Sequence, residues 1–337
     1  MREKRKIGIF LDERSDRELS KEIQMSMLGS NTGNQLFFHA IKEQIQTESL
    51  PRNTKEIVDL EDYDAFITTD FVWIREHVDM SYMKKYLKLI GDKALVPISI
   101  GLQAQEYKRN FKIHSETIAI LKTIEERCVM GVRGNYTAEI LNQYGIKNIQ
   151  VIGCPSLYQL ETGFQKKNKS FIPRNISVNF RSFGEKLSFR ETEFLLYARQ
   201  RNSSFVEQTL HSLERNQVLE EIYYRDIFDW IQEQGNLFLN LSEWRDYMKT
   251  IDFCMGSRFH GNVVALWEGV PALFLLTDSR TRELCDFFKL PCIEMKKFNN
   301  KKSILYYLKK ADYSEFNRNF LDKKRKYEEF LKKNGLK

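Results

Sequence analysis

The residues best suited to chemistry form one short stretch, Ser257-Arg258-Phe259-His260-Gly261, between two apolar runs. An arginine can hold a phosphate or a carboxylate through two parallel hydrogen bonds. A histidine can give or take a proton near neutral pH. Because a charged pair between two buried segments is costly to desolvate, a structural role alone is a poor explanation for it. The stretch therefore predicts a site in which Ser257, Arg258 and Gly261 bind an anion and His260 moves a proton.

Other polar residues follow predicted strands or begin predicted helices. In the second half of the chain they are Asn179, Arg181, Asp278, Arg280 and Arg282, and in the first half Asn31, Thr32, Gly33, Asn34, Gln103 and Arg133. Since open α/β sheets bind ligands beyond the carboxyl ends of their strands, we expect these residues to line one cleft. A structural alternative stays open for several of them: Arg133 and Arg181 suit sheet ends, Asn31 to Asn34 suit a turn with an N-cap, and Asp278 suits a helix cap.

The apolar pattern around the stretch predicts a buried strand, a tight turn at Gly256, a short helix ending at Gly269, and a second strand after Pro271. Elsewhere short apolar runs alternate with amphipathic segments. Strands are predicted at 6–11, 64–68, 94–100, 128–132, 149–152, 176–180, around 205, 237–241 and 292–295, and helices at 34–45, 81–90, 115–126, 136–144, 191–201, 218–234, 243–250 and 282–288. This alternation indicates an α/β protein of two Rossmann-like, doubly wound domains that face a cleft.

The predicted domains follow from a polar linker at 161–174. Residues 1–160 form the first domain, on the acceptor side; residues 161–300 form the second, which carries the anion site; residues 301–337 form basic helices that pack back on the body. At 337 residues, two domains are the natural expectation.

Composition narrows the class of protein. The five cysteines include no C-x-x-C pair, which predicts reduced, buried thiols and no zinc site. Of the five histidines, His39 suits the core, whereas His77, His114 and His211 lie in charged stretches, so we expect no metal. No apolar run reaches the roughly 18 to 20 residues that span a bilayer, and the basic N-terminus lacks a signal-peptide core, which predicts a cytoplasmic protein.

The net charge of +7 is concentrated in the tail, because residues 296–337 hold 14 Lys/Arg against 5 Asp/Glu. A basic helix suits contact with the inner face of a membrane. A solvated helix face is the favoured alternative, since tail aromatics provide an apolar side. We expect no nucleic-acid partner, because no motif that recognises nucleic acid accompanies the basic residues.

Several segments together resemble the polysaccharide pyruvyl transferase family, over residues 6–295. They are SRFHGNVVALWEGVPALFLL, GVRGNYTAEILNQYGIKNIQVIGCPSL, NTGN, GLQAQ, VNFR and TDSRTRELCDFFKLP. Two features depart from the family pattern: Cys154-Pro155 stands where the family commonly has Asp-Pro, and GLQAQ lacks the usual Gly-Pro ending.

The resemblance implies a fold like that of two-domain glycosyltransferases of the B type. It also implies transfer of the enolpyruvyl unit of phosphoenolpyruvate, as co-substrate, onto a sugar of a capsule or exopolysaccharide, free or lipid-linked, to form a cyclic ketal. No further cofactor or metal is expected. Arg258, with Arg181, Arg133 and Arg280, would hold the phosphate and carboxylate, His260 would move the proton, and Asp278 or Glu268 are candidate bases. The alternatives are a glycosyltransferase that uses a nucleotide sugar and an inactive scaffold of a polysaccharide assembly complex.

Overall fold

The computed structural model describes residues 5–11, 19–53, 59–167, 172–180, 187–209 and 225–337. Its strands are β1 (Ile7–Phe10), β2 (Glu48–Leu50), β3 (Ala65–Thr68), β4 (Ile74–Arg75), β5 (Ala94–Pro97), β6 (Leu102–Gln103), β7 (Met130–Val132), β8 (Ile149–Val151), β9 (Ile176–Asn179), β10 (Ser204–Glu207), β11 (Gly235–Leu237), β12 (Phe253–Gly256), β13 (Ala272–Leu276) and β14 (Cys292–Glu294). All of the strand pairs described are parallel.

The helices lie between these strands and after the last of them. They are α1 (Lys21–Met27), α2 (Asn34–Ile45), α3 (Lys84–Ile90), α4 (Ser115–Glu125), α5 (Asn135–Gln143), α6 (Phe189–Arg199), α7 (Arg225–Gln234), α8 (Leu241–Met248), α9 (Phe259–Trp267), α10 (Ser279–Phe288), α11 (Ile304–Lys310) and α12 (Ser314–Lys333). Short 3-10 helices cover Asp70–Trp73, Ser81–Met83, Pro155–Gln159 and Met295–Lys297. Within the described ranges, no helix combines the length and the apolar composition that crossing a bilayer requires.

The strands of the first half form a sheet of order β2-β1-β3-β5, and a β7-β8 pair lies beside it. A bridge between Ile100 and Val132 joins the segment after β5 to β7, and the Arg133 amide donates to the Ile100 carbonyl at 2.8 Å. This pairing fixes the backbone from which the Arg133 side chain leaves the sheet.

The second half forms a six-stranded sheet of order β11-β10-β9-β12-β13-β14. Strand β12 lies near its centre, and all four residues of β12 are buried, as expected for a parallel strand covered on both faces. The turn after β12 therefore opens at the carboxyl edge of the sheet, next to the end of β9.

The predicted α/β class, with parallel sheets built from alternating strands and helices, is confirmed. Two element predictions are wrong in detail, and short strands such as β2 are not predicted at all. Residues 21–27, expected in a polar loop, form α1, because Ser20 accepts a hydrogen bond from the Ile23 amide and Met25 packs inside. The short strand β2 has too little pattern to be read from sequence. The strand predicted at 237–241 lies at β11 instead, because the Asn240 side chain caps α8 and ends the extended segment.

The two sheets share one hydrophobic cluster, with Leu36 and Val132 from the first half and Val264 and Phe274 from the second. A second cluster under the other face of the second sheet includes Val178, Phe194, Trp230 and Leu275. The domain division at residue 160 stays a prediction, and residues 168–171 of the expected linker lie outside the described ranges.

Candidate functional site

Two buried asparagines hold the turn between β12 and α9. Asn179, at the end of β9, accepts hydrogen bonds from the Ser257 amide through its carbonyl (3.0 Å) and from the Arg258 amide through Oδ1 (2.9 Å). Its Nδ2 donates to Oδ1 of Asn262 at 2.9 Å, and Nδ2 of Asn262 donates to the Gly256 carbonyl at 2.9 Å. Both side chains are fully buried. This network leaves the backbone at the start of α9 little freedom.

The two glycines of the turn allow this close approach. A Cβ atom at Gly256 would collide with the Asn179 carbonyl oxygen. At Gly261 it would lie 2.8 Å from Cγ of Asn179 and 2.7 Å from Nε2 of Gln208. A side chain at either position would push the turn away from β9.

The loop 31–34 of the first half lies against this turn. A Cβ atom at Gly33 would lie 3.0 Å from Cβ of His260, and the Thr32 amide donates to the Gln208 carbonyl at 2.9 Å. Asn31 accepts from the Gly33 amide, and Asn34 donates to the Leu28 carbonyl at 2.8 Å, so these two side chains stabilise their own turn. Of the loop, Thr32 and Gly33 are brought to the site.

His260 lies in the first turn of α9, with Nε2 at 3.6 Å from the Cys154 sulfur. The Phe37 ring is 6.4 Å from the imidazole ring, and the Phe259 ring is 5.5 Å from it, edge to face. Burial, followed by the charges of Arg133 and Arg280, lowers the pKa of His260 to about 3. The imidazole is therefore neutral at physiological pH in the ligand-free protein.

Arg133 follows β7 and is buried, with Nε donating to Oγ of Ser99 at 3.3 Å. Burial and the charge of Arg280 lower its pKa, against the raising effects of Glu283 and Asp278. A guanidinium nevertheless stays protonated at any physiological pH. Arg133 thus places a buried positive charge close enough to His260 to act on its pKa.

Asp278 is the N-cap of α10. Its Oδ1 accepts from the Thr281 amide at 3.0 Å, and Oδ2 forms an ion pair with Nη2 of Arg280 at 2.8 Å. Burial alone would raise its pKa, but Arg280 and the Thr281 amide outweigh burial and hold the pKa of Asp278 below its ordinary value. A carboxylate held in this way is a weak base. Arg280 acts electrostatically on His260.

Arg282 and Gln103 have other partners. Arg282 pairs with Glu294 at the end of β14 (3.0 Å), and Oε1 of Gln103 accepts from Nε of Arg75 at 3.3 Å. Arg258 is the N-cap residue of α9, partly exposed, and Ser257 beside it is buried. Arg181 and His211 lie outside the described residues. The structure therefore groups His260, Arg133, Asp278 and Arg280, places Arg258 two residues before His260 at the helix start, and engages Arg282 and Gln103 with other partners.

The model of the family "Polysaccharide pyruvyl transferase" matches residues 31–279, a span that includes Arg133, Arg258, His260 and Asp278 and ends one residue before Arg280. The chain belongs to the polysaccharide pyruvyl transferase family. No curated protein is detectably similar to it.

Solved structures of other proteins align along most of this pyruvyl transferase family member. They include HepE from Anabaena, solved with UDP and glucose (11% identity, 98% of this chain and 96% of that chain covered, TM-score 0.47). MnaA from S. aureus, solved with UDP, has 12% identity, coverage of 98% and 91%, and a TM-score of 0.45. A putative UDP-N-acetylglucosamine 2-epimerase from Listeria monocytogenes has 13% identity, coverage of 98% and 90%, and a TM-score of 0.44.

Two buried polar residues of this family member were not singled out from the sequence. Glu283, on α10, accepts from the Thr137 amide at 2.6 Å and from Oγ1 of Thr137 at 2.8 Å, and burial raises its pKa to about 7. Gln208, after β10, is 1% exposed, and its Nε2 finds no partner in the part of the chain that the structure describes. The available sequence signal for Glu283 is its position in the TDSRTREL segment, which resembles the family. No sequence signal points to Gln208.

Glu268, a candidate base, is a structural residue. It lies at the far end of α9 from His260, is 3% exposed, and accepts from Nε of Arg245 at 2.6 Å. Its buried carboxylate is engaged by the partly exposed Arg245, which favours a structural role over that of a base for the sugar hydroxyls.

Proposed function

We propose that this protein transfers the enolpyruvyl unit of phosphoenolpyruvate onto a saccharide, with two hydroxyls of the sugar forming a cyclic ketal. The observation that carries the proposal is the pair of guanidinium groups, Arg133 and Arg280, that act on His260 at the start of α9, where Arg258 is the N-cap residue. The family assignment supports the choice of pyruvyl donor.

The donor demands such a cationic site. Phosphoenolpyruvate has a phosphate and a carboxylate, with a total charge near −3 at neutral pH, and arginines can bind both groups through paired hydrogen bonds. The N-terminus of α9 adds backbone donors and a partial positive charge. Arg258, at that N-terminus, is assigned to the phosphate, with Arg133 and Arg280 completing the charge balance.

His260 is assigned to proton transfer, on the condition that its imidazole becomes protonated when the donor binds. In the ligand-free site the pKa is about 3, because burial and two guanidinium groups disfavour the imidazolium. A bound trianion reverses the sign of the local charge and raises that pKa. His260 therefore takes up a proton as the donor binds and is then a general acid.

In the proposed transfer the enolpyruvyl unit gains one proton and two bonds to sugar oxygens and loses its bond to phosphate. A proton adds to the methylene carbon, one sugar hydroxyl attacks the former enol carbon, the C–O bond to phosphate breaks, and a second hydroxyl attacks the same carbon. Of the two hydroxyl protons, one replaces the proton delivered to the methyl group and the other leaves with phosphate. The guanidinium of Arg258 stabilises the charge that develops on the departing phosphate.

The test is release of phosphate from phosphoenolpyruvate in the presence of galactosides, glucosides and N-acetylhexosaminides. His260→Ala and Arg258→Ala should each abolish release, with circular dichroism unchanged. His77→Ala and Arg318→Ala are the matched controls, because both side chains are exposed and distant in sequence. Tight binding or hydrolysis of a nucleotide sugar, with no turnover of phosphoenolpyruvate, would overturn the proposal in favour of a glycosyltransferase.

A further inference from the structure

A cavity of about 350 Å³ opens between α5 and α10, beside the loop that follows β6. Its wall contains Tyr107, Tyr136, Ile140 and Phe287. The rings of Tyr107 and Tyr136 stack with centroids 4.4 Å apart and planes 20° from parallel, and Tyr107 remains 40% exposed. The cavity therefore offers aromatic and aliphatic surface to a ligand from solvent.

The rim of the cavity offers hydrogen-bonding groups that the protein does not use. The side chains of Arg109, Glu139, Gln143 and Lys289 line it. None of the four makes a hydrogen bond or an ion pair with another residue in the described ranges. They comprise a carboxylate, an amide and two cations, so the rim provides both donors and acceptors and lacks the single-sign charge that favours a polyanion.

The cavity adjoins the cleft through Glu283, which lines it. The Glu283 carboxylate bonds to Thr137 at the start of α5, and its charge acts on Arg133 of the candidate site. A Cβ atom at Gly134 would collide with this side chain, so the strand end that bears Arg133 and the cavity wall are in direct contact. The cavity and the candidate site are therefore neighbours, with the Glu283 side chain packed between them.

We propose that this cavity binds a neutral saccharide unit of the acceptor, other than the unit that receives the pyruvyl group. This rests on the proposed function for the nature of the acceptor. Sugar rings have an apolar C–H face, which packs on aromatic rings, and equatorial hydroxyls, which both donate and accept hydrogen bonds. Tyr107 and Phe287 match the first requirement, and Glu139, Gln143 and Arg109 match the second.

The experiment measures saccharide binding without phosphoenolpyruvate, by titration calorimetry and saturation-transfer NMR. The probes are cellotetraose, maltotetraose, β-1,4-galactotetraose and chitotetraose. The wild type should bind at least one of them, and Tyr107→Ala should weaken that binding about tenfold, the worth of one stacked aromatic ring. Tyr107→Phe keeps the ring and should stay within about twofold. Tyr306→Ala, which removes an equally exposed tyrosine from α11, is the matched control and should bind as the wild type does.

Glu139→Ala and Gln143→Ala provide a second arm, because both residues are exposed on α5 and neither substitution threatens the fold. Each should weaken binding as well. Failure of the wild type to bind any probe, or binding that survives all three alanine substitutions, would overturn the inference. The binding experiment contains no phosphoenolpyruvate, so its result does not depend on the transfer reaction. If a saccharide binds here but the phosphate-release assay shows no turnover, the proposed reaction is contradicted and the saccharide site is not.

Discussion

At the scale of residues, burial and two positively charged neighbours set the protonation of His260. The histidine was singled out for an ordinary pKa near neutrality, whereas the structure lowers that pKa to about 3. The charges that act on it are those of Arg133 and Arg280, both positive, and its Nε2 contacts the uncharged thiol of Cys154. Burial raises the pKa of the Cys154 thiol, so this neighbour supplies no negative charge. The site therefore depends on the donor to charge its histidine.

Replacing this thiol with a carboxylate should restore a charged histidine in the free protein. Cys154→Asp places a negative charge close to Nε2 of His260, which favours the imidazolium and should raise its pKa from about 3 to about 6. The measurement is an NMR titration of the His260 ring protons. Cys154→Ser, which adds no charge, is the matched control and should leave the pKa low. A histidine that still titrates near pH 3 beside Asp would show that burial alone sets its protonation.

The sequence was informative at this scale where a residue conflicts with its local pattern. Arg258 and His260 stand out because two polar residues interrupt an apolar run, and the structure places them at the turn that was predicted. Asn262 does not stand out, since its partner Asn179 is 83 positions away. Cys154 was noted for its departure from the family pattern, but its contact with His260 spans 106 positions and depends on how the two halves meet. The spacing of nearby residues in the sequence cannot predict such long-range contacts.

At the scale of elements, the joint between α5 and α10 depends on a buried carboxyl group. Glu283 of α10 receives two hydrogen bonds from Thr137 of α5, and Gly134 leaves the room for it. Burial raises the pKa of Glu283 to about 7, against the lowering effects of Thr137 and Arg133. This contact connects the strand end that bears Arg133 to the helix whose N-cap is Asp278. The protonation of Glu283 is therefore linked to the stability of the candidate site.

The free energy of unfolding should therefore fall as the pH rises, because of the raised pKa of Glu283. An unfolded glutamate titrates at about 4.3, so between roughly pH 4.5 and 7 the folded protein retains a proton that the unfolded chain has released. Glu283→Gln removes this dependence and can keep both bonds to Thr137. The variant should gain on the order of 2 kcal/mol relative to the wild type between pH 5 and 8. Urea unfolding at several pH values measures this difference.

The matched control is Glu139→Gln, which removes an exposed carboxylate from the same face of the joint, on α5. A difference between Glu283→Gln and the wild type that stays constant from pH 5 to 8 would contradict the prediction. It would mean that Glu283 is already ionised in the folded protein at pH 5.

Elements were predictable where apolar periodicity and end signals agree. Strand β12, helix α9 and strand β13 follow from an apolar run, a glycine stop and a proline, and they lie where the sequence places them. The β11 prediction failed because the predicted strand 237–241 includes Asn240, which is in fact the N-cap of α8. Strand β2 depends on its partner β1 rather than on its own three residues, which is why sequence alone did not reveal it.

At the scale of the whole molecule, the two halves of the chain are in contact near the candidate site, and the C-terminal helix packs on the first half. Ser279, the first residue of α10, donates to the Leu102 carbonyl at 2.8 Å and accepts from the Ala104 amide at 2.9 Å. Helix α12 lies across the first half, where Asn334 bonds to the Val129 amide and carbonyl. The position of the cleft is therefore set by contacts from distant parts of the chain, which composition and periodicity do not encode.

The apolar side of the basic tail packs in the core, so two adjacent residues of α12 differ strongly in burial. Phe320 is fully buried and lies 5.2 Å from Phe316, ring to ring, whereas Leu321 is 58% exposed. Phe320→Ala should cost about 3 to 5 kcal/mol of unfolding free energy, because it leaves a cavity between the helix and the first half. Leu321→Ala, the matched control, should cost less than about 0.5 kcal/mol. Equal effects of the two substitutions in urea unfolding would show that α12 does not pack as described, and would revive the membrane-facing alternative for the tail.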